Sequence, residues 1–140
     1  MILLDTNVVS EIMKRQPHPA VAACLNRLPL NDLFVPSLVV AEIRYGLRRL
    51  PNGRRRQDLI QAFDSFLEAG FPARILVFDA ACAAGYAAAR ATRDEAGRPV
   101  AVQDALIGGM ALAYGAIVVT RNRADFDGYG LEVLDPWHDA

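Results

Sequence analysis

Apolar and polar positions along the chain follow two rhythms. Short runs rich in Ile, Leu and Val at 2–5, 33–35, 75–78, 116–120 and 131–134 are too brief for helices and read as buried strands. Between them apolar residues recur at three- and four-residue spacing, which predicts helices over 7–14, 19–28, 37–50, 54–69, 80–96 and 104–115. The helix over 54–69 shows the period plainly, with Leu59, Ile60, Phe63, Phe66 and Leu67 on one face. Stop and start signals agree with these limits. Ser37 and Asp79 are expected as N-caps, Pro51 and the Gly97–Pro99 pair end helices, and Gly115 is expected as a C-terminal cap.

Strands alternating with helices predict an α/β domain in which helices pack on both faces of a central, mostly parallel sheet. No linker, repeat or low-complexity stretch interrupts the pattern, so residues 1–140 are expected to form a single domain.

That architecture makes some polar residues conspicuous. In an open parallel sheet, side chains at the carboxyl ends of strands line the crevice where ligands bind. The run Ile2-Leu3-Leu4 delivers Asp5 there, followed by Thr6 and Asn7, and the run over 116–120 delivers Arg121, Asn122, Arg123 and Asp125. Glu42 sits inside an apolar helical stretch, sharing its face with Leu38, Tyr45 and Gly46, where a purely solvating role is out of place. Asp104 falls in the first turn of its helix, where a carboxylate also suits the helix dipole.

Each acid has an ordinary explanation taken alone. Asp5 can be a turn residue, Asp104 and Asp125 caps or turn formers, and Glu42 the partner of a nearby arginine. Gathered in one crevice, however, the carboxylates would repel one another and raise their pKa values. A hard divalent cation relieves that conflict, since Mg²⁺ and Mn²⁺ take oxygen ligands from a few carboxylates together with water and phosphate.

Composition narrows the chemistry further. The net charge of −1 says nothing by itself about a polyanionic partner, but basic residues concentrate at Arg44, Arg48, Arg49, Arg54, Arg55 and Arg56. Such a cluster can hold phosphates without reading sequence, or simply solvate a helix face. Cys24 and Cys82 are isolated and read as buried free thiols rather than zinc ligands or a disulfide. The only histidines, His18 and His138, lie outside any nucleophile-base arrangement. No apolar run is long enough to span a bilayer and the first residues lack a signal-peptide pattern, so a cytoplasmic protein with no membrane partner is expected. Chemistry through an aspartyl phosphate is disfavoured because Asn7 stands where a second Asp would be needed and the sole lysine is Lys14. A dinucleotide fold is disfavoured because no glycine-rich turn follows the first strand and Gly108-Gly109 lies within a helix.

Four stretches in order, LLDTNVVSE, VAEIRYG, QDALIG and VVTRNRADF, together with the terminal DPWHD, resemble the blocks of PIN-domain ribonucleases of the VapC type. These are toxins of bacterial type II toxin–antitoxin pairs, and the likeness is strongest to their FitB-like branch. The resemblance covers essentially the whole chain. It implies a metal-dependent ribonuclease whose acidic site comprises Asp5, Glu42 and Asp104, with Asp125 as the fourth acid where Asn122 takes the alternative place. It implies Asn7, Ser10, Thr120 and Asn122 as residues orienting that site, and Mg²⁺ or Mn²⁺ as cofactor. Arg44, Arg48, Arg49 and Arg54 are then candidates for binding RNA phosphates. The resemblance also implies a homodimer, a cognate VapB-type antitoxin, and contact with promoter DNA through that antitoxin. A catalytically silent PIN-like module that binds RNA or protein is the alternative.

Overall fold

The computed structural model describes residues 1–139. Its core is a five-stranded sheet in the order β3-β2-β1-β4-β5, formed by β1 (Ile2–Leu4), β2 (Leu33–Pro36), β3 (Ile75–Leu76), β4 (Ile117–Val119) and β5 (Val133–Leu134). Every pairing is parallel, with Ile2 opposite Leu33 on one side and Ile117 on the other. All three residues of β1 are buried, although their side chains alternate between faces. Both faces of the central strand are therefore covered, which is why its sequence is continuously apolar instead of alternating.

Six helices connect and cover the sheet: α1 (Thr6–Ile12), α2 (Pro19–Asn26), α3 (Ser37–Arg48), α4 (Arg54–Gly70), α5 (Ala80–Glu95) and α6 (Val102–Tyr114). Short 3₁₀ turns at Leu30–Asp32 and Arg123–Phe126 complete the chain. Asp79 caps α5 by accepting from the Cys82 amide at 3.0 Å, and Gly115 ends α6 at φ 60°, both as expected. Cys24 and Cys82 are buried free thiols, also as expected, and burial pushes both thiols up in pKa.

Several limits differ from the sequence reading. Ser37 is not an N-cap: Pro36 holds that position and Ser37 is the first helical residue, its Oγ accepting from the Phe78 amide at 3.3 Å. The hydroxyl thus ties α3 to the segment after β3. Strand pairing in β3 stops at Leu76, short of Phe78, because that segment turns to meet Ser37 and enter α5. Helix α6 begins at Val102, so Asp104 is its third residue, still within the first turn. Asp5 lies outside β1 and caps α1, whose first residue is Thr6.

Helices α5 and α6 pack unusually closely. A methyl group added at Gly85 would stand 2.2 Å from the Gly109 carbonyl oxygen, and one added at Gly109 would stand 2.3 Å from the Tyr86 nitrogen. Glycine at both places lets the two backbones touch. Among the described residues no helix is long and apolar enough to cross a membrane.

Candidate active site

The strand order places a topological switch point between β1 and β4. From β1 the chain builds outward through β2 to β3, then returns across to β4 beside β1 and continues outward to β5. Connections leaving the carboxyl ends of β1 and β4 diverge, and the gap between them is the crevice an open α/β sheet offers a ligand. Asp5 and Thr120 stand at those two strand ends.

Asp5 is 4% exposed, and both its oxygens are held: Oδ1 accepts from the Thr6 amide at 2.8 Å and Oδ2 from the Thr120 hydroxyl at 2.7 Å. Thr120, fully buried, in turn accepts from the Asn122 amide at 3.0 Å. Asn7 reaches across the same gap, its Oδ1 accepting from the Arg121 amide at 3.2 Å. The carboxylate is thus stapled between the ends of two adjacent strands.

Glu42 enters from α3. Its side chain is exposed but not free, since Oε2 accepts from the Thr6 hydroxyl at 2.5 Å and from the Gln103 amide group. Asp104 projects from the first turn of α6, half-buried. A cavity of about 390 Å³ is walled by Asp5, Asn7, Glu42, Gln103, Asp104 and Asn122. Asp125, in the 3₁₀ turn after β4, does not line this cavity but lies close enough for its charge to act on both Asp5 and Asp104.

Electrostatics register the crowding. Burial, then the charges of Asp125, Asp5 and Glu42, push Asp104 up to about 6 from its ordinary 3.8. Asp5 is raised too, chiefly by burial, against the lowering effect of its Thr120 and Thr6 hydrogen bonds. Because the folded chain holds the Asp104 proton more tightly than the unfolded chain, this group favours folding at pH below about 4 and loses that contribution as pH rises through about 6. In EDTA, the melting temperature of the wild type is expected to climb on acidification from pH 7.5 to 5 by more than that of Asp104→Asn. Parallel melting-versus-pH curves for the two proteins would contradict this assignment.

The arrangement suits a hard cation by donor chemistry. The charged groups are carboxylates, their mutual repulsion is unrelieved, and the cavity wall is completed by amide and hydroxyl oxygens. Among the described residues no three His, Cys, Asp or Glu side chains close on one point as ligands. Mg²⁺ does not require that, since it is commonly bound by one or two carboxylates with water filling the other positions.

The remaining candidates divide. Ser10 and Arg49 line an adjoining cavity that shares Thr6 and Glu42 with the first, and the Arg49 guanidinium sits 5.8 Å from the Tyr45 ring centre. Arg44 is not brought to the crevice: its guanidinium lies over the Phe63 ring and pairs with Asp64 of α4 at 2.8 Å. Arg54 is nearly fully exposed beside Asp58, at the start of α4 and away from the acids. Arg48 is exposed near the end of α3. Gln103, which carried no functional expectation in the sequence, steadies Glu42 together with Thr6. The QD pair at a helix start was its only signal, since an amide there reads equally well as a solvated first turn. Arg121 and Arg123 flank Asn122 and are held by the C-terminal segment, Arg121 over the Trp137 ring at 4.8 Å and Arg123 paired with Asp139.

The fold and this acid-lined crevice at the switch point define a PIN domain, and the PIN-domain model matches residues 2–130: the chain belongs to that family. It is 37% identical to toxin FitB of Neisseria gonorrhoeae over 99% of this chain and 100% of that one. It is 34% identical to VapC ribonuclease Y4jK of Sinorhizobium fredii over the full length of both. The solved structure of FitAB bound to an IR36 DNA fragment superimposes with a TM-score of 0.91 at 37% identity, covering 99% of this chain and 96% of that one.

Proposed function

We propose that this chain is the ribonuclease toxin of a toxin–antitoxin pair, hydrolysing RNA phosphodiester bonds with a water nucleophile at the Asp5–Asp104 crevice. The observation carrying the proposal is the gathering of Asp5, Glu42 and Asp104 around one cavity at the switch point of a PIN fold, with Asp125 close by and Asp104 raised to about 6 by burial and then by the charges of the other three. Full-length similarity to a VapC ribonuclease and to toxin FitB supports it.

Asp5 and Asp104 are the residues that would hold Mg²⁺ or Mn²⁺, with Glu42 and Asp125 adding negative charge nearby. An ion held there would supply a water of lowered pKa and offset charge developing on the phosphate. Thr120 and the Thr6 amide fix the direction of the Asp5 oxygens, so the anionic wall needs no rearrangement when substrate arrives. Thr6 and Gln103 do the same for Glu42. Arg49, in the adjoining cavity, is the basic residue best placed to take a neighbouring RNA phosphate. Arg44, committed to Asp64 and Phe63, is not. The chain acts as a homodimer and is silenced by a VapB-type antitoxin, through which the complex reaches promoter DNA; similarity to the FitAB complex bound to a DNA fragment supports the partner protein and the DNA contact.

The purified, antitoxin-free chain is expected to cleave RNA in the presence of Mg²⁺ or Mn²⁺, to stop in EDTA, and to resume when Mn²⁺ is returned. Cleavage undiminished by EDTA would overturn the mechanism. Binding without cleavage across a broad panel of structured RNAs would favour a silent binding module instead.

A further inference from the structure

One buried cation remains outside the site just described. Arg93, on the last turn of α5, is 6% exposed. It forms no ion pair with any described carboxylate. Its guanidinium donates instead to main-chain carbonyls: Nε to Arg98 at 2.6 Å, and Nη1 to Ala124 at 3.0 Å and to Asp127 at 2.9 Å. Below it lies the Tyr129 ring, 5.6 Å from the guanidinium carbon. Arg98 lies on the short connection that leads into α6 and Asp104, while Ala124 and Asp127 bracket Asp125. One planar group thus grips both connections that deliver these two acids.

We infer that Arg93 is a positioning residue that sets the placement of Asp125 relative to Asp104 by clamping their two supporting loops through backbone carbonyls. The turn carrying Asp125 is rooted in the core by the buried Phe126 ring, but its Asp125 side is otherwise held only by the Asp125 amide donating to the Asn122 carbonyl at 3.0 Å. It lacks a side-chain cap, and Gly128 and Gly130 follow it at positive φ. Asp125 also lies near enough to Asp5 and Asp104 for like charges to repel, and the turn has to withstand that repulsion. A cation bonded directly to a carboxylate would resist that push but occupy oxygens a metal ion needs. Arg93 resists it from behind without bonding to any acid oxygen. Arginine suits the task because its rigid fork directs several donors at once, which a lysine ammonium on a flexible stem cannot reproduce.

This inference rests on the ribonuclease reading for its effect on catalysis but not for its effect on the loop. Arg93→Lys keeps the charge and Arg93→Gln keeps a shorter amide donor, so at least one folded variant is expected from the pair. Hydrogen–deuterium exchange in the folded variant should accelerate over 121–128 with α1 to α4 unchanged. Mn²⁺ affinity, measured by calorimetry on the full chain without RNA, should fall roughly tenfold to a hundredfold, as for other residues that orient ligands from behind. On any RNA the wild type cleaves, kcat should drop by a similar factor with KM nearly constant. In an Asp125→Asn background the same Arg93 change should cost less in Mn²⁺ affinity than it does in the wild type, since part of its effect runs through Asp125. A folded variant with unchanged exchange over 121–128, or full additivity with Asp125→Asn, would overturn the inference. If the wild type cuts no RNA, the ribonuclease reading fails while exchange and Mn²⁺ affinity still decide the role of Arg93.

Discussion

Asp5→Asn is expected to yield a folded chain whose RNA cleavage is reduced by about a thousandfold or more, equivalent to about 4 kcal/mol of lost transition-state stabilisation. The fold survives because asparagine has the shape of aspartate. Its Oδ1 still accepts from the Thr6 amide, and its Nδ2 can donate to the Thr120 hydroxyl, which reverses its own bond. Melting in EDTA at pH 7.5 should stay level or rise. The substitution removes a charge that burial penalises and that Glu42 and Asp125 repel. Activity disappears for the same reason that stability does not. On the proposed mechanism the buried carboxylate contributes charge where the metal ion would be held, and a neutral amide at the same place cannot. Cleavage within tenfold of wild type by a properly folded Asp5→Asn protein would remove Asp5 from the mechanism.

The largest effect on stability is expected at Gly109. In an ordinary exposed helix, glycine to alanine stabilises by up to about 1 kcal/mol. Here the added methyl would stand 2.3 Å from the Tyr86 nitrogen and 2.5 Å from its Cα. Those atoms are backbone, so relief requires α5 and α6 to separate along their whole contact. Overpacking of this kind costs about 3 kcal/mol, exceeding the helix-propensity gain and reversing its sign. Gly109→Ala should therefore melt roughly 10 °C below wild type. Gly85→Ala, aimed at the Gly109 carbonyl at 2.2 Å, should behave alike. Gly70→Ala, where nothing lies within 4 Å, is the matched control and should change little. A Gly109→Ala protein as stable as wild type would mean that the two helices are not held as closely as described.

The two effects meet in α6, which carries both Asp104 and Gly109. Its close seating against α5 brings the helix start, and hence the Asp104 carboxylate, to a defined depth in the crevice. Arg93 acts at that same end of the helix pair, on the loop that joins α5 to α6. Placement of an acid in this site is thus a property of helix packing as much as of the strand ends.

Much of this was legible in the amino-acid pattern, and the failures have identifiable causes. The apolar run before Asp5 announces a buried strand, and a carboxylate at its end has to face the crevice once the sheet is parallel. Asp79 and Gly115 were readable as caps because capping is satisfied within a few residues. Ser37 looked equally suited to capping, but its hydroxyl is claimed by Phe78 from another part of the chain. Arg44 looked available for phosphate, yet Asp64 from α4 pairs with it. Gly108-Gly109 registered only as the absence of a nucleotide-binding turn, because nothing nearby in sequence reveals that Gly85 and Tyr86 press against the second of the pair. Arg93, in an Ala-rich helix beside Asp94 and Glu95, reads as one more solvated charge.

Strand and helix positions and the α/β class were determined by the sequence itself, through periodicity and capping that operate within a turn or two of each residue, whereas the set of candidate acids followed from the resemblance of its ordered blocks to a family. What tertiary structure decided is which polar groups meet. Thr120 reaches Asp5 across 115 residues, Gln103 reaches Glu42 across 61, and Thr6 reaches Glu42 across 36. Those encounters follow from strand order and helix docking, which local propensity does not encode. The crevice, the raised Asp104 and the clamp at Arg93 exist only once β4 has settled beside β1.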